Sequence, residues 1–404
     1  MTKALPRHFY SLDALRGLAA LCVVFSHWKH FFFIPGNELK PFRWELHPLN
    51  FLFQPLYTDG YRAVELFFCL SGFIFFWLYA EKISRRQTSL REFVVLRFSR
   101  LYPLHFLTLL VVVAGQQFIH WRYGAYFVYS QNDLYHFGLQ LLFASNWGFE
   151  RGLSFNGPIW SVSVEIVCYA AFFLACLFYA RRWWHLGLYV GIGYFVGRTC
   201  HLDIGQGIFS FFIGGLAFQF FAHFWNHGLH RKVLPALVVI TGLMWIFIPL
   251  NTHYDLLNRI YHRVWIWPEH LTLFGKDIIG FAVQEISIRT FELVLFPLTI
   301  LTLALGESCR GTLGKRLAFL GDISYSSYLW HFPLQLVFVA IISVCALPVT
   351  FFCTPLALFL FFLILIPLSL CSYRFFERPC QSKLRARLLG PATNKLPPAE
   401  PTAR

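Results

Sequence analysis

The chain has 404 residues, of which 57% are hydrophobic, 20% aromatic and only 13% charged. A soluble domain carries about 25% charged residues, so this composition and a mean hydropathy of +0.55 exclude an ordinary soluble protein and point to a polytopic membrane protein. The net charge of +14 does not indicate nucleic acid, because Lys and Arg fall in short clusters between apolar runs, where they read as topology signals.

The first span, about residues 11–33, opens with SLDALRGLAALCVVFSHW and carries three ionisable side chains, Asp13, Arg16 and His27. Arg16 and His27 are eleven positions apart, which at about 100° per residue returns them to one helix face, separated by roughly 16 Å along the axis. An arginine inside a spanning helix costs about 2.5–3.5 kcal/mol on insertion scales and usually faces a polar cavity; snorkelling to the headgroups is the bland alternative. The segment lacks a cleavage site and reads as a retained first span rather than a removed signal peptide.

Span 2, about 61–80, contains FFCLSGF with Ser71 and Gly72, small residues that permit close helix packing. The following EKISRRQTSLREFVVLRFSR is the strongest basic cluster before the tail, and the charge rule assigns it to the cytoplasm. Within it Arg97 and Arg100, spaced i,i+3, share a helix face and could grip phosphate oxygens; anchoring to anionic headgroups is equally open. Span 3 covers about 101–120, and 134–148 is too short to cross, so it is expected to be re-entrant or interfacial.

Span 4, about 159–180, begins PIWSVSVE, placing Trp160, Ser161 and Glu165 in its first turns. A carboxylate there needs a partner or a proton, and Glu165 is expected either to orient His27 or to bond between helices. Spans 5 to 8 are expected at about 184–200, 206–225, 233–250 and 291–306, with an external loop over 251–290. Span 9, about 318–345, carries SYSSYLWHFP, where Tyr328 and His331 share a face. Span 10 covers about 351–373. The expectation is an all-α, polytopic integral membrane helical bundle of about ten transmembrane helices with both termini cytoplasmic. It divides into a membrane domain over 1–380 and a basic, Pro-rich, disordered tail over 381–404. The ten cysteines form no CxxC pair and no metal-ligand spacing, so neither a disulfide framework nor a metal site is expected.

Taken together, LDALRGLAALCVVFSHW, FFCLSGF, RFSRLYP, PIWSVSVE, SYSSYLWHFP and FFERP (Glu377, Arg378, Pro379) run in one order over about residues 10–380 and resemble the acyltransferase-3 family of integral membrane acyltransferases. The resemblance implies an O-acyltransferase of the bacterial inner membrane that moves an acetyl group from cytoplasmic acetyl-CoA to a sugar hydroxyl of a surface polysaccharide or lipid-linked glycan. It implies that Arg16 and His27 are essential and that the donor binds near Arg97 and Arg100; with the reading of the residues above, the expected catalytic set is His27, Arg16 and Glu165, and Asp13, Ser71, Trp160, Ser161, Tyr328 and His331 are expected as cavity residues. No permanently bound cofactor, no metal and no nucleic acid are implied; acyl-CoA, a glycan or lipid-linked sugar acceptor and membrane lipid are. Some members carry an extracytoplasmic hydrolase-like domain after the last span. Here the sequence runs only to Arg404, so the transfer is expected to be completed alone or with a separate extracytoplasmic partner protein. The competing class is a transporter or permease in which Arg16, Glu165 and His331 form a proton or anion pathway.

Overall fold

The structure is a computed structural model that describes residues 8–36, 39, 42–178, 182–257, 259–260, 272–273, 276–277, 285–286 and 289–390. Fifteen α-helices follow one another among these residues. The first six are α1 (Tyr10–Ser26), α2 (Asn50–Asp59), α3 (Ala63–Leu78), α4 (Ala80–Ser84), α5 (Leu90–Tyr123) and α6 (Leu134–Leu141). Then come α7 (Trp160–Leu177), α8 (Trp183–Thr199), α9 (Asp203–Asn226), α10 (His230–Tyr254), α11 (Phe296–Arg310) and α12 (Ala318–Asp322). The last three are α13 (Ser324–Cys345), α14 (Pro355–Cys371) and α15 (Arg378–Leu389). A two-residue strand pair at Thr272–Leu273 and Lys276–Asp277 is the β-structure among the described residues; most of the expected external loop over 251–290 lies outside them.

Among the described residues, eight helical stretches are long and apolar enough to cross a membrane. The expected first and fifth spans, α1 and α8, have 17 residues each, and α1 is continued by a 3-10 segment to Phe33. The chain is therefore a multi-pass membrane protein. Helix α6 has only 8 residues and cannot cross. Asp133 caps it, accepting from the His136 backbone N–H at 2.8 Å and from His136 Nδ1 at 2.7 Å. These two bonds hold the Asp133 carboxyl below its usual range.

The tail departs from expectation. Residues 378–389 form α15, which packs along α5. Pro379 at the first turn suits a helix start, and Arg91 Nη2 donates to the Leu388 carbonyl at 2.9 Å. The basic, polar composition suggests disorder only if no partner is considered. The side of α5 supplies one. Residues 391–404 lie outside the described residues.

Close packing of small residues sets the helix spacing. A Cβ added to Gly72 on α3 would overlap the Phe211 carbonyl oxygen of α9, and one added to Gly214 would overlap the Cys69 carbonyl oxygen. In the same way Gly17 of α1 lies against Leu320, and Gly321 against the Asp13 carbonyl. That crossing brings α12 onto the Arg16 level of α1.

The start of α1 has no local side-chain cap. Glu307 of α11, only 3% exposed, supplies it from a distance. Its carboxylate accepts from the Tyr10 N–H at 2.9 Å, the Ser11 N–H at 2.8 Å and Ser11 Oγ at 2.7 Å. Helix N-termini leave unsatisfied N–H groups and favour negative charge, so this contact clamps α1 at the right height. Each orphaned buried donor costs about 1–3 kcal/mol. We expect Glu307→Ala to destabilise the fold by about 2–4 kcal/mol, checked by thermal unfolding of the detergent-solubilised protein. An unchanged midpoint would show that the contact does not hold α1.

Candidate active site

A cavity of about 120 Å³ lies among α1, α3, α5, α7 and α13. Arg16, Ser71, Arg97, Arg100, Ser161, Glu165 and Tyr328 all line it, so seven of the sequence-selected residues from five helices converge on one space. Spans 2 and 3 contribute more of its wall than expected. Tyr325 of the SYSSYLWHFP motif also lines it, as do Phe75, Tyr79 and Tyr169, to which no motif points.

Arg16 is held rigidly. Its Nη2 donates to Asp13 Oδ1 at 3.0 Å and to the Gly321 carbonyl at 3.1 Å. Asp13 is buried, and its other oxygen stands 3.0 Å from His8 Nε2. The guanidinium is thus a fixed positive charge on the cavity wall, as its burial within a spanning helix requires. Arg97 is braced in another way: Nη2 donates to the Tyr79 hydroxyl at 2.8 Å, while the guanidinium sits 5.1 Å from the Phe75 ring centroid and 5.3 Å from that of Tyr79. Its Nε is buried without a partner among the described residues. Between Arg97 and Arg100, Ser99 Oγ accepts from Arg385 Nε of α15 at 3.2 Å, so the folded tail brings a third arginine to this end of the bundle.

Glu165 does not meet His27. Ser71 Oγ donates to Glu165 Oε1 at 2.5 Å, so this carboxylate ties α7 to α3 inside the cavity. Trp160 is not a wall residue either; its ring packs against Phe68 with centroids 6.4 Å apart, at the edge of the core. Ser161, the next residue, lines the cavity and lies 2.7 Å from the Tyr328 hydroxyl, which donates to the Pro158 carbonyl at 2.8 Å.

His27 is instead paired with His331. His27 Nδ1 lies 2.8 Å from His331 Nε2, and His331 Nδ1 lies 2.5 Å from the Tyr328 carbonyl. A carbonyl only accepts, so His331 Nδ1 carries a hydrogen. Neutral His331 then accepts at Nε2, and His27 Nδ1 must donate to it. The remaining His27 nitrogen, Nε2, is left with an available lone pair. The two rings are nearly parallel and meet edge to edge, with centroids 5.0 Å apart, and the His30 ring lies 4.8 Å from that of His27. Gln335, one turn beyond His331, donates Nε2 to the His27 carbonyl at 2.9 Å and accepts from His30 Nδ1 at 2.9 Å. His331 and Gln335 are i,i+4 on α13, a spacing that was available as a signal for this second contact.

The pair stands immediately behind the cavity, because Tyr328 belongs to both. Its side chain is cavity wall and its carbonyl receives His331. A fixed histidine tautomer with a free Nε2 suits proton abstraction from a hydroxyl, and the fixed charges at the opposite end suit an anionic ligand.

Comparison with known proteins identifies the family. A model described as an acyltransferase domain matches residues 9–374. The chain is also 33% identical over 114 residues to "Protein 2 in picA locus" of Rhizobium radiobacter, a match covering 28% of this chain and 49% of that protein. The chain thus spans about half the length of that curated relative. No solved structure matches. With the family model covering nearly all of the helical bundle, the chain belongs to the acyltransferase-3 family of integral membrane acyltransferases.

Proposed function

We propose that the protein is an O-acetyltransferase of the bacterial inner membrane that takes acetyl from cytoplasmic acetyl-CoA and gives it to a sugar hydroxyl of a surface polysaccharide or lipid-linked glycan. The observation that carries this is the tautomer-fixed His27–His331 pair, joined through Tyr328 to a cavity whose wall also carries Arg97 and Arg100. The phosphates of the donor then remain with the arginines of α5 while its thioester points toward Ser161 and Tyr328.

In the transfer, His27 Nε2 takes the proton of the acceptor hydroxyl as its oxygen attacks the thioester carbonyl. The C–S bond then breaks, and the departing CoA thiolate recovers that proton from His27. His331 accepts from His27 Nδ1 throughout, holding the ring in place and sharing the transient charge with the Tyr328 carbonyl. Arg16, fixed by Asp13 and Gly321, supplies positive charge along the path of the anionic donor.

The test is transfer of labelled acetyl from acetyl-CoA in inverted membrane vesicles that retain the native glycan pool. Label is expected in glycan. Substrate uptake without consumption of the donor would instead establish the transporter class. Arg385 makes a smaller contribution on this reading: its guanidinium is partly buried and already bonded to Ser99 and the Leu96 carbonyl, so its share in donor binding is about 1 kcal/mol. Arg385→Ala is expected to raise the half-saturating acetyl-CoA concentration about fivefold with little change in kcat. A change in kcat alone would remove α15 from the donor site.

A further inference from the structure

A second cavity, about 410 Å³ in volume, lies toward the opposite end of the bundle from the basic loops. It is lined by Tyr61 and Arg62, by Glu65 of α3, by Gln206 of α9, and by Arg289 and Glu292 ahead of α11. Nothing in the reading of the transfer uses it. We propose that it is the acceptor subsite, where a neutral sugar ring of the glycan is held so that one hydroxyl reaches His27; this rests on the transferase reading above.

Glu65 carries the argument. It is 7% exposed, its Oε1 accepts from Gln206 Nε2 at 2.7 Å, and its Oε2 is buried with no partner among the described residues. An oxygen left in this condition takes a proton or a donor from outside the chain, and as the acid it donates to a sugar oxygen where the carboxylate would accept from a sugar hydroxyl. Glu292, 5% exposed, is approached by the Gln206 side chain, by Ser210 Oγ at 3.4 Å and by Arg289 Nη1 at 3.7 Å. It is carried on a π-helical turn, Phe291–Leu295, a departure from regular helix that is often found at functional sites.

The signs of the charges select the ligand. An anion would meet Glu65, Asp203 and Glu292, and a cation would meet Arg62 and Arg289. A polyhydroxylated neutral ring offers donors to the carboxylates and acceptors to the guanidinium groups at once. Tyr61, 45% exposed on the same wall, adds an aromatic face for its C–H surface. The volume falls in the range of about 300–1,000 Å³ usual for small-ligand sites.

Position supports the same assignment. Helix α3 is shared between the cavities: Glu65 lines the second, and Phe67, Phe68 and Ser71 line the first. Gly60, next to Tyr61, lies so close to α1 that an added Cβ would meet the Cys22 carbonyl and, at 3.3 Å, Ser26 Cβ. Ser26 precedes His27. The second cavity therefore adjoins the histidine end of α1, on the side that the charge rule places outside.

The test uses the full-length protein, with neutral methyl hexosides and a methyl uronoside as probes. Thermal unfolding in detergent reads binding without turnover, since a ligand of the folded state raises the midpoint. Transfer is read separately in proteoliposomes, with labelled acetyl-CoA on the donor side and glycoside on the other. We expect at least one neutral hexoside to raise the midpoint of the wild type and to accept label. Glu65→Gln and Tyr61→Ala are each expected to raise the half-saturating hexoside concentration at least tenfold, with the half-saturating acetyl-CoA unchanged. Absence of any hexoside-dependent shift, preference for the uronoside, or a Tyr61→Ala protein with unchanged hexoside dependence would each overturn the subsite. A hexoside shift that Glu65→Gln abolishes, in a wild type that transfers no acetyl, would leave the sugar site standing and remove the transferase reading instead.

Discussion

Replacing His27 by Ala is expected to lower kcat for acetyl transfer by about 10²–10⁴, the usual range for loss of a positioned general base. The half-saturating acetyl-CoA concentration should stay within a fewfold of wild type, because His27 is not part of the wall that lines the donor cavity. The histidine pair makes a second, sharper expectation. His331 both accepts from His27 Nδ1 and donates to the Tyr328 carbonyl, across 2.8 Å and 2.5 Å. Glutamine offers one acceptor and one donor on a planar group, whereas alanine offers neither. His331→Ala should therefore lose about 10–100-fold in kcat through a free-spinning or wrongly tautomerised His27, and His331→Gln should recover part of it. A residue that served only packing would show no such recovery. Equal rates for wild type and His27→Ala would remove the base from the mechanism altogether, and steady-state transfer assays at saturating donor decide it.

The difference between the expected and observed partners of His27 shows which information a sequence carries. Periodicity along one helix is a local property, so the common face of Arg16 and His27 could be read from their spacing alone. Which other helix meets that face is not local. Glu165 was a reasonable partner for His27 on chemical grounds, since a buried carboxylate and a buried histidine suit each other. The helix packing decides otherwise: Gly72 and Gly214 draw α3 against α9, and Ser71 on that same helix takes up Glu165. Tyr328 and His331 were visible as an i,i+3 pair, but the role of the Tyr328 backbone carbonyl was not, because motif patterns record side chains only. The α1 cap has the same cause. Glu307 is nearly 300 positions from Ser11, and nothing near either residue announces the contact. Helix α15 is hidden for a related reason: its polar, basic composition lacks a core stripe, and its docking depends on Arg91 bonding the Leu388 carbonyl and Arg385 bonding the Ser99 hydroxyl.

The second large effect is expected at the other end of the cavity. Arg97 is presented by three groups at once, the Tyr79 hydroxyl and the Phe75 and Tyr79 rings, yet its Nε remains buried without a partner. Bracing of this kind lowers the entropy lost on binding, and an unpartnered N–H beside it is suited to a phosphate oxygen. A charge-assisted hydrogen bond is worth about 1.5–3 kcal/mol, which converts to roughly a 10–150-fold change in the half-saturating acetyl-CoA concentration for Arg97→Ala. Arg97→Lys should restore little of it, since an ammonium can neither form the fork nor stack in the same plane. Combining Arg97→Ala with Arg100→Ala should raise the requirement further while leaving kcat at saturating donor within a fewfold of wild type. These arginines and His27 then separate cleanly in kinetics, donor affinity at one end of the cavity and turnover at the other. Raised salt should weaken wild-type donor affinity and have less effect on the double variant, because the exposed part of the interaction is screened. If Arg97→Ala instead collapses kcat with unchanged donor dependence, the guanidinium acts on the reacting carbonyl, and the thioester must lie in the opposite direction along the cavity.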